Sequence, residues 1–181
     1  MTDRTRRFEA ATLLHLDAAY NLARWLLRDE QSAKDVVQEA YLRACRFFDR
    51  LRGEDAKPWL LRIVRNECFN WLRQFPRSGN SVEFDEERDT EADSPSDGGD
   101  SFANPETLLL KKHEAAQVTA CLAQVPAVFR EVLILREMED LSYQTIASVV
   151  GIPVGTVMSR LSRGRGMLKA LLLANDGEMQ S

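Results

Sequence analysis

Apolar residues recur every three or four positions along most of the chain, and scarcely any stretch alternates apolar with polar residues between turns. This spacing places apolar side chains on one side of an α-helix. In the first part of the chain it predicts helices over residues 8–28, over residues 32–49 with Ser32 as the N-cap, and over residues 58–75, where Pro58 suits a first helical turn. The chain is therefore predicted to be all-α.

The same periodicity returns in the last part, with predicted helices over residues 105–124 and 127–137 and two short helices on either side of Gly151. Ser142 can cap the first short helix, and Gly151 supplies the positive φ of a tight turn. The inward stripe of the second short helix is Val157, Leu161, Gly164 and Leu168. Two short helices joined in this way form a helix-turn-helix.

The second of these helices is predicted to carry a polar outward face. Its members are Thr156, Ser159, Arg160 and Arg163. Arginine bonds guanine edges bidentately in the major groove and hydroxyls bond phosphates, so the face is predicted to bind duplex DNA. An ordinary αα-hairpin with a solvated basic face is the alternative that the residues leave open.

Residues 78–105 are rich in Ser, Asp, Glu and Gly and lack an apolar stripe. They are predicted to form a flexible acidic linker between two small helical domains, at residues 1–77 and 106–174, with a tail at 175–181. The linker is a plain tether or, alternatively, an acidic mimic of nucleic acid that covers a basic surface. The residues do not separate these two roles.

Charge is distributed unevenly over the 181 residues. The whole chain has 24 Lys and Arg against 28 Asp and Glu, a net charge of -4 that argues against a nucleic-acid binder. Residues 1–77, however, carry 15 basic and 11 acidic side chains, residues 78–107 carry 1 and 10, and residues 108–181 carry 8 and 7. The acidity therefore lies in the linker, and both predicted domains are mildly basic.

Two surfaces stand out in the amino-terminal domain. The first is the polar side of the helix at residues 32–49, where Leu42 among charged residues resembles an interface anchor. The second is on the helix at residues 58–75, which interleaves arginine, asparagine and an aromatic: Arg62, Arg65, Asn66, Phe69, Asn70 and Arg73. Cations for phosphates, a π-face for stacking and amides for base edges suit an unpaired strand. Alternatively, Phe69 and Trp59 belong to the core.

Other chemistry is sparse. Cys45, Cys68 and Cys121 are odd in number and form no CxxC pair, which favours buried thiols in a reducing compartment, and His15 and His113 cannot anchor a multi-histidine metal site. No apolar run approaches transmembrane length, and no nucleophile, base and orienting residue form a set. The sequence therefore predicts a cytoplasmic protein without membrane insertion, catalytic residues, metal or other cofactor.

Three segments, in order, resemble the extracytoplasmic-function sigma factors of bacterial RNA polymerase. They are DVVQEAYLRACRFFDRLRG (residues 35–53), PWLLRIVRNECFNWLR (residues 58–73) and VFREVLILREMEDLSYQTIASVVGIPVGTVMSRLSRGR (residues 128–165). The resemblance spans nearly all of the chain outside the acidic linker. It implies a transcription initiation factor that binds core polymerase and promoter DNA and that does no covalent chemistry itself.

The resemblance also implies roles for particular residues. Core polymerase would be bound by the polar side of residues 35–46, namely Asp35, Gln38, Glu39, Leu42, Arg43 and Arg46. The minus-ten element would be opened and its non-template strand captured by the second surface and the preceding loop, which adds Arg50, Leu51, Arg52 and Lys57. The family often has an aromatic where this chain has Leu51. The helix-turn-helix would read the minus-thirty-five element.

Further partners follow from the resemblance. The helix around residues 129–136 would meet the flap of the second-largest polymerase subunit, and an anti-sigma factor would cover both domains. Two other function classes stay open on the residues alone. One is a conventional helix-turn-helix regulator that binds duplex DNA without polymerase, and the other is a sigma-mimicking interaction module that binds no DNA. Run-off transcription with core polymerase separates all three.

Overall fold

The computed structural model describes the backbone of residues 3–51, 55–76 and 105–179, with side chains described as far as residue 76 and from residue 115 to residue 175. Every regular element in this part of the chain is helical, as predicted. The helices are α1 (Asp3–Thr12), α2 (Leu16–Leu27), α3 (Glu30–Phe47), α4 (Ala56–Gln74), α5 (Pro105–Gln124), α6 (Ala127–Leu133), α7 (Tyr143–Val150) and α8 (Val154–Met179). Short 3-10 turns at Leu13–His15 and Phe48–Arg50 and a π-turn at Ile134–Met138 complete the set.

The single helix predicted for residues 8–28 is wrong, because the chain breaks into α1 and α2 at Leu13–His15. The Thr12 hydroxyl donates to the carbonyl of Phe8 at 2.7 Å and lies 3.2 Å from the Tyr41 hydroxyl of α3. A hydroxyl bound to the carbonyl four residues earlier bends a helix. Phe8 is thereby buried against Tyr41, at 4.7 Å between ring centroids.

The turn between α2 and α3 also differs in detail from the prediction. The N-cap of α3 is Asp29 and not Ser32, because the Asp29 carboxylate accepts both the backbone N–H of Ser32 at 2.8 Å and its hydroxyl at 2.5 Å. Arg28 adopts a left-handed backbone conformation, with φ of 57°, at the turn between α2 and the Asp29 cap. In contrast, the predicted Ser142 cap of α7 and the positive φ of Gly151, at 80°, are both present.

The helices form two units. In the amino-terminal unit, α2, α3 and α4 pack against one another with α1 alongside, and in the carboxy-terminal unit α8 packs on α5, α6 and α7. The units contact each other through α4 with α7 and α2 with α6, and one continuous cluster of buried apolar residues runs from Phe8 to Leu161. The helix-turn-helix is α7 and α8, as predicted. The predicted linker lies outside the described residues except at Pro105, which begins α5.

Gly164 allows α8 to approach α6 closely. A Cβ atom at this position would lie 3.1 Å from Cδ1 of Leu133 and 3.4 Å from Cβ of Phe129. The predicted inward stripe is otherwise present, with Val157 and Leu161 buried and Leu168 half-buried. Among the described helices, no single one is long and apolar enough to cross a membrane. Helix α7 and residues Val154–Asn175 of α8 reach that length and apolar character only when taken together, and the two are bent by 99° relative to each other.

Candidate protein-binding and nucleic-acid-binding surfaces

The polar side of α3 is open to solvent over its whole length. The opposite side is fixed by Ala33, Val36, Ala40 and Ala44, which are buried against α2 and α4. Leu42, at 47% exposure, is an apolar side chain surrounded by charged ones. All six residues predicted for polymerase binding are exposed: Asp35, Gln38, Glu39, Leu42, Arg43 and Arg46. We call this set the α3 face.

Phe47 extends the apolar part of this surface. Phe47 continues the apolar spacing of α3, but its side chain is 38% exposed, with the Arg50 guanidinium 4.7 Å from its ring centroid. It escapes burial because α3 ends at this residue, beyond the reach of the helices packed behind it. In the loop that follows, Arg50 is exposed and Leu51 packs half-buried against the core, while Arg52 lies outside the described residues.

Five of the six α4 residues that the sequence predicted for strand binding lie around one pocket. A pocket of about 320 Å³ on the surface of α4 is lined by Arg65, Asn66, Phe69, Asn70 and Arg73, together with Arg43, Ile63 and Glu67. Asn66 and Arg73 are exposed at its rim, and Asn70 accepts a hydrogen bond from Arg73 at 2.5 Å. Arg62 is half-buried and does not line the pocket. Asparagine, arginine and an aromatic ring therefore meet at one concave site.

Phe69 is not an exposed stacking platform. It is 4% exposed, and the Arg65 guanidinium covers its ring at 4.1 Å from the centroid. Trp59 is also buried, at 8%. Phe69 and Trp59 therefore belong to the core, which is the alternative that the sequence left open for them. Phe75, conversely, continues the apolar spacing of α4 but is 55% exposed, because α4 ends at Gln74.

Arg65 forms a two-pronged ion pair with Glu131 of α6. Its Nε and Nη2 atoms donate to the two carboxylate oxygens of Glu131 at 2.7 Å and 3.1 Å. Glu131 is fully buried, which raises the pKa of its carboxyl, while Arg65 and Arg160 act in the opposite direction. Bidentate arginine–carboxylate pairs are among the stronger charge-assisted hydrogen bonds. The pair joins the amino-terminal unit to the carboxy-terminal unit.

Helix α8, the second helix of the helix-turn-helix and from here on called the recognition helix, has a different outward face from the predicted one. Arg160 is 7% exposed, with its Nη1 atom 3.5 Å from the Glu131 carboxylate, so its predicted outward position is wrong. The inward side of α8 is wider than the apolar stripe, because α6 lies beside it and supplies a buried acid. Thr156, Ser159 and Arg163 are half-buried on the flank. The exposed stripe that the prediction missed is Met158, Ser162, Arg165 and Lys169.

Helix α6 was expected to face the polymerase flap, yet every residue of α6 is buried. Arg130 donates to the carbonyls of Ala123 and Val125 at 2.9 Å and 2.8 Å and reaches across to the carbonyl of Leu26 in α2 at 3.1 Å. Burial, with Arg28 nearby, lowers the pKa of Arg130 to about 10. The sequence analysis did not predict that Arg130 and Glu131 are buried. Two charged residues inside the otherwise apolar run AVFREVLIL are the sequence signal that could have indicated their burial.

The contact between units is completed at the start of α4. Lys57, a predicted strand-binding residue, lies 3.1 Å from the Glu139 carboxylate and donates to the Glu139 carbonyl at 3.2 Å. Asn21 of α2 donates to the same carboxylate at 3.1 Å. Arg28 donates to the Ala123 carbonyl at 2.8 Å. Within the described residues, no group of three His, Cys, Asp or Glu side chains is placed to hold a metal ion.

Known proteins match both units. The sigma-70 region 2 family model matches residues 13–76, and the sigma-70 region 4 model matches residues 115–168. The ECF RNA polymerase sigma-E factor of Escherichia coli strain K12 is 38% identical over 134 residues, covering 72% of this chain and 69% of its own. The RNA polymerase sigma-H factor of Pseudomonas aeruginosa is 35% identical over 165 residues, covering 88% and 83% respectively.

Two solved structures match over most of the chain. The sigma factor RpoE in complex with the anti-sigma factor NepR from Bartonella quintana has a TM-score of 0.68 at 28% identity, covering 92% of this chain and 97% of that one. CnrH in complex with the cytosolic domain of CnrY has a TM-score of 0.65 at 25% identity, covering 94% and 90%. The likeness therefore includes both helical units and not one of them alone.

Proposed function

The chain belongs to the extracytoplasmic-function sigma factors of RNA polymerase, and from this premise we propose how its surfaces divide the work of transcription initiation. The α3 face binds core polymerase. The pocket on α4, with the loop before it, captures the non-template strand of the minus-ten element, and α8 reads the minus-thirty-five element. The corresponding domains are residues 1–77 and 106–174, tethered by the acidic linker at 78–105.

The observation that carries this proposal is the pocket on α4. Asn66, Asn70 and Arg65 line one concavity of about 320 Å³. Amides hydrogen-bond base edges and guanidinium groups bind phosphates or stack on bases, and single-stranded bases are bound by such mixtures. A protein that binds duplex DNA needs no pocket, whereas a protein that binds an extruded base needs one to hold that base. The pocket thus favours strand capture by the amino-terminal unit.

The proposed contribution of the chain is binding energy and not covalent chemistry. Unstacking a base costs a few kcal/mol per step, which capture of the base and contacts to phosphates offset. Arg73 and Asn66 at the exposed rim are positioned for the first contacts with a strand. The nucleotidyl transfer itself belongs to the polymerase, so we expect this chain to accelerate opening and to leave the elongation rate unchanged.

On the recognition helix, the buried position of Arg160 supports a revised assignment. We assign major-groove contacts to the exposed Met158 and Ser162 together with the flanking Ser159 and Arg163. A methionine side chain can contact the thymine methyl group, and a hydroxyl or guanidinium can bond base edges or phosphates. Arg160 instead holds the recognition helix to α6 through Glu131. Thr156 remains a proposed phosphate contact.

Protein partners beyond polymerase are also part of the proposal. The two similar proteins of known structure were each solved with a partner: the sigma factor RpoE with the anti-sigma factor NepR, and CnrH with the cytosolic domain of CnrY. We therefore expect a protein antagonist that contacts both units of this chain and a site of action in the cytoplasm, where core polymerase is found.

Reconstituted transcription tests the proposal. Core polymerase with the purified chain is expected to start at defined sites in a genomic template library where core alone does not. Leu42→Asp is expected to abolish co-purification with core, and Leu173→Asp, another exposed leucine on the far end of α8, serves as the matched control. Tight duplex binding without polymerase, and no start-site selection with it, would indicate the conventional regulator instead. Core binding without any DNA contact would indicate a sigma mimic.

A further inference from the structure

The pocket on α4 contains a carboxylate, although a surface that binds a strand is expected to be basic. Glu67 lines this pocket together with Asn66 and Asn70. The side chain of Glu67 is only 15% exposed, so it forms part of the pocket wall and is not an ordinary solvated acid. A lone negative charge at this place would repel the phosphates of a strand. The presence of Glu67 therefore calls for a specific role.

Arg43 of α3 fixes the position of this carboxylate. Its Nη1 atom donates to Oε1 of Glu67 at 2.5 Å, and both side chains line the pocket. Helices α3 and α4 pack directly against each other within the amino-terminal unit. The pair therefore does not depend on the position of the carboxy-terminal unit. Arg43 was counted with the α3 face, but this bond directs its guanidinium toward the pocket.

The ion pair leaves one oxygen of the carboxylate available. Arg43 binds Oε1, and among the described residues Oε2 of Glu67 has no hydrogen-bonding partner. The positive charge of Arg43 offsets the charge of Glu67, so the pair repels a phosphate far less than a lone carboxylate would. The pocket therefore contains a hydrogen-bond acceptor that is held in place and locally neutralised.

The four bases differ in what they offer to such an acceptor. Cytosine, adenine and guanine each carry an exocyclic amino group, at N4, N6 and N2, and thymine carries none. The ring N–H of thymine lies between two carbonyl oxygens, and a carboxylate repels both of them. Hydrogen bonds to an ionised acceptor are roughly twice as strong as those between neutral groups. An ionised acceptor in the pocket therefore favours an amino-bearing base and disfavours thymine.

We propose that Glu67, positioned by Arg43, is a specificity-determining residue that selects an amino-bearing base over thymine at one position of the captured strand. Glu67 contacts the base, and Arg43 acts through Glu67. Asn66 is less selective, because its amide has both a donor and an acceptor and can turn to suit any base. The inference rests on the proposed function, since it assumes that a strand enters the pocket on α4.

The first test measures base preference with the holoenzyme, formed from core polymerase and the full chain. Bubble templates carry an unpaired non-template strand that is randomised over the minus-ten element, and the bound templates are sequenced. We expect the wild type to deplete thymine about fivefold or more at one position. Glu67→Gln should remove this depletion, because a glutamine amide can also donate to the carbonyl oxygens of thymine.

Glu30→Gln is the matched control for this selection. It removes the same charge from an exposed carboxylate that pairs with Lys34 on α3 and does not line the pocket. Its base profile should equal that of the wild type. Equal loss of thymine depletion in this control would indicate a general charge effect and would overturn the inference.

A second test changes the base and leaves the protein intact. The base selected at that position is replaced by an analogue that lacks only the amino group: 2-pyrimidinone for cytosine, purine for adenine or hypoxanthine for guanine. Competition against a fluorescent bubble template gives the affinity. The wild-type holoenzyme should bind the analogue about fivefold more weakly than the base, and Glu67→Ala should bind both alike. The wild-type measurement stays decisive if a Glu67 variant fails to fold.

Arg43→Ala tests the positioning role. This change leaves the charge of Glu67 uncompensated, so the purified holoenzyme should bind the bubble template about two- to fivefold more weakly whichever base is present. Adding Glu67→Gln to the same chain should restore part of the affinity, because the repelling charge is then gone. A loss that Glu67→Gln does not restore would show that Arg43 does not act through Glu67.

Two further outcomes would overturn the inference while the wild-type holoenzyme still initiates transcription. One is a selection in which no thymine depletion depends on Glu67. The other is an unchanged wild-type affinity for the analogue that lacks the amino group. Failure of the proposed function is recognised separately, because the wild-type chain would then direct no initiation by core polymerase, and the inference would fall with it.

Discussion

The guanidinium of Arg160 lies 3.5 Å from the buried carboxylate of Glu131, which places a residue of the recognition helix inside the carboxy-terminal unit. Removal of Arg160 leaves Glu131 paired with Arg65 alone and takes away a buried side chain of α8. Arg160→Ala is therefore expected to lower the free energy of unfolding by about 1–3 kcal/mol.

Urea unfolding monitored by circular dichroism measures this loss. Arg165→Ala is the control, because the Arg165–Glu137 pair is largely exposed and its loss should cost no more than about 1 kcal/mol. Sequence-selection profiles of the folded Arg160→Ala protein should keep the wild-type base preference. A relaxed preference at one promoter position would instead return Arg160 to the set of base contacts.

Helix faces were predictable where a helix has one clear apolar stripe. The α3 face is an example, since a helical period on its own separates Ala33 and Ala40 from Asp35 and Leu42. The turn of the helix-turn-helix was predictable because Ser142 and Gly151 act locally, through a cap and a positive φ.

Positions that depend on a neighbour were not predictable. Arg160 is polar and was assigned outward, but its burial depends on a carboxylate contributed by α6. Phe47 and Phe75 continue an apolar stripe and yet are exposed, since each lies where its helix ends. The apolar periodicity of one helix does not show where the helix ends relative to the helices that pack against it. The pairing of Arg65 with Glu131 has the same origin, because it joins residues 66 positions apart.

Met158 and Ser162 are expected to influence promoter choice without affecting the fold. Both side chains are exposed on α8, so replacing either by Ala should change the free energy of unfolding by less than about 0.5 kcal/mol. Loss of a base-edge or thymine-methyl contact should relax preference at one position of the minus-thirty-five element by about 1 kcal/mol. Selection from randomised duplexes with the holoenzyme measures the preference. Unaltered profiles for both variants would contradict the assignment.

The two glycines of α8 should respond oppositely to substitution. Gly166 faces open space, so Gly166→Ala should gain up to about 1 kcal/mol of helix propensity. At Gly164 an added Cβ would lie 3.1 Å from the Leu133 side chain, so Gly164→Ala should gain less, and Gly164→Val should lose about 1–3 kcal/mol through overpacking. Thermal unfolding of the three variants gives the order. Equal stabilisation by the two alanines would contradict the close approach of α6 and α8.

Cys68 is expected to make the fold sensitive to high pH. Burial raises the pKa of the Cys68 thiol far above its ordinary value of 9.0. Above pH 9 the unfolded chain loses this proton while the folded chain keeps it, so the unfolded state gains relative stability. The free energy of unfolding should fall by up to about 1.4 kcal/mol per pH unit from this group. Denaturation at pH 8, 9 and 10 should show a shallower decline for Cys68→Ala, and parallel curves would refute the effect.

Asn66 tests the division of labour between the two units. It is exposed at the rim of the α4 pocket and distant from the recognition helix in sequence, so Asn66→Ala should spare closed-complex formation and impair opening. Permanganate reactivity of unpaired thymines measures opening, and a mobility shift at low temperature measures the closed complex. A template with a pre-melted minus-ten bubble should recover part of the loss, because unstacking is already complete while the lost base contact persists.

Glu30→Ala is the matched surface control for Asn66→Ala, since Glu30 pairs only locally with Lys34 at the start of α3. Opening by this control should equal that of the wild type on both templates. If Asn66→Ala opens the duplex normally, or if it weakens the closed complex as much as the open one, the strand-capturing role belongs to another surface. If the defect is confined to opening and the pre-melted bubble reduces it, Asn66 acts after the duplex has been bound. Only after binding does the cost of unpairing enter the measured step.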